Sequence, residues 1–334
     1  MLNACFIIPY SLHFSILRTY LYLNLILKTS LKLGEINKKP YHLLNIYFSS
    51  SLYNDNHHII LFQKIIRTMT TSSILWPNPP SLTLCIVALV LFGLSALIQS
   101  YQTIKYRQKF FIFFVLGAFF QVVGYTGRIG CVYDLNSIDF YVVQSLFVLL
   151  APIFYAVSIY SLLGKIVQFV GAEDKSPVKP TRITCIFVIG DIVSFIMQST
   201  GGGMMVQGGE NAQTGSEIIL IGLIIQLVFF FIFIFLTILF HIRANKLKEL
   251  NESKGNWKML LKILEVSCML ILIRSVYRVV EYAQGFDGYL ITHEVYQYSL
   301  DALMMLLVQL LYNCAHPGKV FYAKEEKLEK FVLK

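Results

Sequence analysis

Charge is scarce in this chain. Asp, Glu, Lys and Arg make up 14% of its 334 residues, where about 25% is usual for a soluble domain. Hydrophobic residues reach 56% and aromatic residues 14%. That balance excludes intrinsic disorder, which needs low hydrophobicity and high net charge. It also argues against a pair of ordinary soluble domains, the arrangement that length alone favours. The formal charge of +9 is scattered rather than gathered in one basic patch, so no nucleic-acid partner is expected. Cysteine is scarce as well. The six residues Cys5, Cys85, Cys131, Cys185, Cys268 and Cys314 form neither a disulfide framework nor a metal-ligand spacing. No G-x-x-x-x-G-K-[ST], H-E-x-x-H or G-x-S-x-G occurs. The chain therefore carries no recognisable ATP-binding or catalytic motif, and no catalytic residue, metal or cofactor is expected.

What the chain does have is long apolar runs. A bilayer core of about 30 Å is crossed by about 20 helical residues, and barrel strands are much shorter. Seven segments qualify, at about 82–99, 110–125, 141–163, 183–200, 218–241, 258–282 and 294–315. The expected fold class is all-α: a polytopic membrane protein, a seven-transmembrane-helix bundle. Basic residues between the segments alternate. One side collects 17 Lys and Arg and the other collects 1. By the positive-inside rule this orients the N-terminus outside and the C-terminus in the cytosol. Dropping the sixth or seventh segment, the two richest in charge, destroys the alternation.

Residues 1–68 break the pattern, with seven cations on the side that should lack them. They are expected to be an N-terminal extension, disordered or a gene-model artefact, with translation starting at Met69. The membrane domain is expected over 69–320 and a basic cytosolic tail over 321–334. Arg128 is expected to close the second span. The Gly-rich stretch 201–216 is expected to be a tight reversal outside the membrane, its glycines allowing the turn.

Charges inside the spans are the best functional clue, because a charged side chain in hydrocarbon is costly. Arg274, Arg278 and Glu281 are spaced to share one face of the sixth helix, at about 100° per residue. Glu294, Tyr298, Asp301 and Met305 share one face of the seventh. At 1.5 Å per residue, Arg274 and Asp301 both fall about 12 Å below the outer boundary. The spacing predicts an Arg274–Asp301 ion pair, with Arg278 near Glu281 or Glu294. Asp191 and Gln198 add polar groups on the fourth span, and Gln121, Gln144 and Gln226 on the second, third and fifth. Two cations then face four anions inside the spans. The polar groups either glue helices together or line a cavity for the head group of an amphiphile. In the second case Asp191 is the carboxylate that meets a cation such as an amine.

Several ordered motifs carry a family resemblance. They are Gly124-Tyr-Thr-Gly-Arg128, then Gly190-Asp191 through Gln198 followed by Gly201-Gly-Gly203. Arg274-Ser-Val-Tyr-Arg278-Val-Val-Glu281 follows, then Glu294, Tyr298, Asp301 and His316-Pro-Gly318. Over roughly residues 75–322 the chain resembles the fungal lipid-translocating exporter family, the RTA-like proteins. The resemblance implies seven helices, a fungal plasma membrane, and export of sphingoid long-chain bases or similar amphiphiles with resistance to toxic ones. The partners it implies are membrane lipids and an amphiphilic substrate; it names no protein partner. The substrate-binding or bundle-network residues it points to are Asp191, Gln198, Arg274, Arg278, Glu281, Glu294, Asp301 and Arg128. The alternative is a seven-helix lipid sensor, a receptor-like regulator of membrane stress responses.

Overall fold

The computed structural model describes residues 80–135, 137–171, 180–207, 210–245, 257–285 and 288–321. All of them lie in the unit Ser73–Lys334. The expectations for residues 1–68 and for nearly all of the basic tail lie outside the described residues. Among the described residues there are helices and no strands. They are α1 Leu82–Lys105, α2 Ile112–Tyr133, α3 Ile138–Val170, α4 Pro180–Gln207, α5 Glu210–Asn245, α6 Trp257–Ala283 and α7 Leu303–Cys314. Short helical turns at Tyr289–Thr292 and Glu294–Tyr296 and a π-helical turn, Gln297–Ala302, lead into α7.

The helix ends follow local chemistry. After α1, Arg107 takes a left-handed φ of 52°, and Gln108 N–H bonds back to the Thr103 carbonyl at 3.3 Å. The chain thus reverses within a few residues into a 3₁₀ turn, Lys109–Phe111, and α2. Gly171, at φ 72°, ends α3 as a left-handed cap whose N–H reaches the Gln168 carbonyl, a conformation that a side chain would strain. Ser81 precedes α1 without a capping bond from its own side chain. Its N–H is taken instead by the Glu294 carboxylate, at 3.0 and 3.2 Å.

The helices run past the apolar windows. α3 has 33 residues and α5 has 36, about 50 Å each at 1.5 Å per residue. Two expectations are corrected by this. Arg128 does not close a helix: α2 continues to Tyr133 and buries it. Gly201–Gly203 are helical rather than a turn, since α4 continues to Gln207. The reason is packing. A Cβ on Gly201 would overlap the Gly215 carbonyl oxygen, and one on Gly215 would overlap that of Gly201. The glycines let the backbones of α4 and α5 touch, as small residues do between membrane helices. Gly117, Gly124 and Gly127 do the same for α2 against α3, where added Cβ atoms would meet Ala151, Val148 and Gln144.

Each helix packs on its sequence neighbours, α7 returns to α1, and α3 also touches α6 across the middle. α3 is accordingly the most buried of the apolar helices. The core is aromatic. Phe114 stacks on Phe111 at 4.7 Å and lies 4.6 and 5.0 Å from the rings of Tyr155 and Tyr312. A second aromatic group, Tyr160 with Phe187 and Phe233, joins α3, α4 and α5.

Among the described residues, six helical segments are long and apolar enough to cross a membrane. α6, with 27 residues, is long enough but too charged. Its outward face nevertheless reads Val266, Met269, Ile273, Val276 and Val280, all exposed, while Ser267, Arg274, Tyr277 and Glu281 are buried. Apolar residues outside and charge inside are what a lipid surround requires. The chain is an all-α polytopic integral membrane protein.

The α4–α5 contact makes a paired prediction. Gly201→Ala must push two backbones apart and is expected to cost about 1–3 kcal/mol, as overpacking does. Gly202, with nothing within 4 Å of its would-be Cβ, should accept Ala with no loss and a gain of up to about 1 kcal/mol. Thermal loss of the monodisperse peak of detergent-purified protein distinguishes the two.

Candidate functional site: charged groups within the bundle

The π-helical turn Gln297–Ala302 widens the helix where Asp301 faces α6. Such turns place a side chain off the regular α register. Asp301 Oδ1 accepts a bond from Arg274 Nε at 2.5 Å, and Oδ2 accepts one from Arg278 Nη2. One carboxylate therefore serves two guanidinium groups. Arg274 also donates to the Val148 carbonyl of α3 at 3.4 Å. Arg278 turns its other nitrogen, Nη1, to Glu281 Oε2 at 2.9 Å, and Tyr277 donates its hydroxyl to Glu281 Oε1 at 3.0 Å. Charge-assisted bonds of this kind are the strong ones.

A second ion pair adjoins this cluster. Arg128 Nη2 donates to Glu294 Oε1 at 2.8 Å, and its guanidinium lies 5.4 Å from the Tyr298 ring centre, within cation–π range. Tyr298 meets Cys85 Sγ at 3.3 Å. Tyr125 of α2 is in electrostatic range of Asp301 and of Arg128, and its ring centre lies 6.3 Å from that of Tyr298. The expected Arg274–Asp301 pair is present, and Arg278 lies near Glu281. Glu294 goes instead to Arg128, because Arg128 is inside the bundle rather than at its rim. Three arginines now face three carboxylates, Asp301, Glu281 and Glu294, and this part of the bundle is neutral.

Asp191 and Gln198 are elsewhere. Gln198 donates to Gln226 Oε1 of α5 at 3.0 Å. Asp191 is 1% exposed, and neither of its oxygens has a hydrogen bond of normal geometry among the described residues. The polar group that acts on it is the Tyr160 hydroxyl of α3. Around that phenol stand Phe187, Phe230 and Phe233. The eight residues singled out by sequence thus divide into a neutral six-member network and a separate α4 pair, one of which is a carboxylate without a cation among the described residues.

Sequence reasoning missed other polar contacts. His241 Nδ1 and Glu265 Oε1 meet at 2.5 Å between α5 and α6. Along the α1–α7 seam, Gln99 donates to the Gln309 carbonyl at 3.2 Å, Gln102 to the Asn313 carbonyl at 2.9 Å, and Asn313 to Ser95 at 2.7 Å. Gln309 also bonds the Tyr155 hydroxyl, and Thr103 meets His316 at 3.4 Å. A signal was available. Gln99, Gln102 and Thr103 form one stripe on α1, and Gln309, Asn313 and His316 form another. Hydropathy treats such amides as mere interruptions.

Among the described residues no cluster of His, Cys, Asp and Glu is suited to a metal ion. The fold and its interior define a polytopic helical membrane protein whose buried arginines and carboxylates balance, with one carboxylate left over. The chain matches the profile of the family described as "RTA1 like protein" over residues 114–324, and it belongs to that family. It is 39% identical over 223 residues to Protein RTA1 of Saccharomyces cerevisiae, covering 66% of this chain and 69% of that one. Protoporphyrin uptake protein 1 of the same species is 35% identical over 216 residues, covering 64% and 71%. Sphingoid long-chain base transporter RSB1, also of that species, is 28% identical over 285 residues, covering 75% of each chain. No solved structure matches the chain.

The two kinds of carboxylate should respond oppositely to neutralisation. Asp301→Asn leaves Arg274 without an anion and Arg278 with Glu281 alone, and is expected to cost about 3–5 kcal/mol, as breaking a buried pair does. Asp191→Asn breaks no ion pair among the described residues, and folded yield should not fall. Exchanging the pair, Arg274→Asp with Asp301→Arg, should fail to restore folding, because the new guanidinium lies against Arg278. Fluorescence-detected size exclusion of the three variants reads the order.

Proposed function

We propose that the chain is a translocase for membrane amphiphiles with a positively charged head group, such as sphingoid long-chain bases, and that it protects its host from toxic ones. It works in the plasma membrane as a seven-span protein over residues 69–320, N-terminus outside, with 321–334 as a cytosolic tail. The observation that carries this reading is the surplus carboxylate. Asp301, Glu281 and Glu294 are each bound by arginine. Asp191 is buried, and neither of its oxygens has a hydrogen bond of normal geometry among the described residues. An ammonium group supplies both the opposite charge and the donors that such a carboxylate lacks. Gln198, seven residues along α4, and Gln226 of α5 offer further polar groups on the same helix pair.

The relatives support transport of amphiphiles without choosing one. One is named for a sphingoid base and another for protoporphyrin, head groups of opposite charge. The choice here rests on Asp191. Support for the topology comes from the alternation of 17 cations against 1 and from the lipid-compatible outer face of α6. The role is non-enzymatic, and without a recognisable ATP-binding motif the driving force is a gradient, a partner or the lipid asymmetry itself.

The test uses purified full-length protein in liposomes and a fluorescent sphingoid base loaded into one leaflet. Movement to the other leaflet should be at least about tenfold faster than in protein-free vesicles, a barrier change of about 1.4 kcal/mol. Asp191→Asn should return it to the protein-free rate. Folded wild-type protein that moves no base would instead favour a lipid sensor that acts on other transporters.

A further inference from the structure

We propose that Asp191 exchanges a proton for the ammonium head group one for one, so that loading the cation and releasing the proton are a single event; this rests on the translocase reading above. The argument begins with what surrounds the carboxylate. On its own helix, Ser194 gives its hydroxyl to the Gly190 carbonyl at 2.9 Å and does not turn to Asp191. α3 presents Tyr160. α5 presents aromatic rings at this level, Phe229 against Gly190 and Phe230 and Phe233 about Tyr160. α6 contributes Cys268, which acts on Tyr160 rather than on Asp191. Among the described residues no cation acts on Asp191, since the bundle arginines are engaged with other carboxylates.

A carboxylate so enclosed has one inexpensive state when empty, the neutral acid, because a buried unpaired charge is neutralised rather than kept. The acid O–H can be given to the Tyr160 oxygen. When an ammonium ion arrives, the O–H bond of the acid breaks and its proton leaves to solvent. The electron pair stays on oxygen, and the carboxylate pairs with the ammonium. Tyr160 then turns from acceptor to donor and holds the second oxygen. One positive charge enters as one leaves, and nothing is oxidised or reduced. The three arginine-bound carboxylates do not share this chemistry, because a guanidinium never gives up its proton in a protein. An inward proton gradient would therefore expel the cation, and membrane voltage would have no direct hold on the exchange.

The test is a binding experiment, separate from transport. Detergent-purified full-length protein is titrated with a sphingoid base in weak buffer between about pH 5 and 7. There the amine, which titrates at about 10, arrives fully charged and contributes no proton. About one proton should appear per base bound, and on the acid side of the site's midpoint affinity should rise about tenfold per pH unit. Asp191→Glu should keep the proton release, and Asp191→Asn should lose both the release and the pH dependence. Base bound with no proton released overturns the exchange and leaves the translocase reading standing. Base bound equally by wild type and by Asp191→Asn removes Asp191 from the site and overturns the exchange with it. No binding by folded wild-type protein overturns both readings.

Discussion

The bundle depends on one carboxylate held between two arginines. α6 is the helix that composition would keep out of a membrane, and it is also the helix that touches α3, α5 and α7. Its arginines cannot lie among apolar helices as free charges. Asp301 answers both of them, one oxygen each, and the π-helical turn aims it there. Glu281, bound to Arg278, brings the group to neutrality, and α6 can then show lipid a face of Val, Ile and Met from Val266 to Val280. The closure of the ring and the central position of α3 follow from its admission.

Three kinds of interior result. The arginine network is charge-balanced, and each of its members has an ionic partner. The α1–α7 seam is uncharged and built from amides, and backbone carbonyls accept several of its bonds. The α3–α4–α5 region is aromatic and tightly packed, with a lone acid in it. The first two regions are cross-linked by polar bonds between helices, and the third is held by aromatic and glycine packing around a single acid.

Legibility in the sequence followed from periodicity. The helices showed because an apolar run of bilayer length suits a membrane helix and little else. Arg274–Asp301 showed because helical spacing and equal depth brought them together. Helix ends did not show. Gly201–Gly203 read as a turn because glycine is common in turns, yet here the cause of glycine is a touching backbone on another helix. Arg128 read as a boundary residue because hydropathy drops there, and only its distant partner, Glu294, explains why it can stay inside. The His241–Glu265 contact and the Tyr160–Asp191 contact join separate helices whose facing no period encodes. Asp191 was legible as the surplus carboxylate from the count of anions over cations, but not its aromatic surroundings, which come from α3 and α5.

The α1–α7 seam also sets a timetable. Its hydrogen bonds link residues 210 to 218 positions apart. At ribosomal speeds of about 5–20 residues per second, the partners of Gln99 and Gln102 emerge roughly 10–40 s after them. During that interval α1 has amides with nothing in its own neighbourhood to bond, in or beside a lipid phase. A chain stopped before α7 stays in that condition permanently. Unpaired amides in an apolar surround cost free energy, so this edge of α1 is completed only when the last helix arrives.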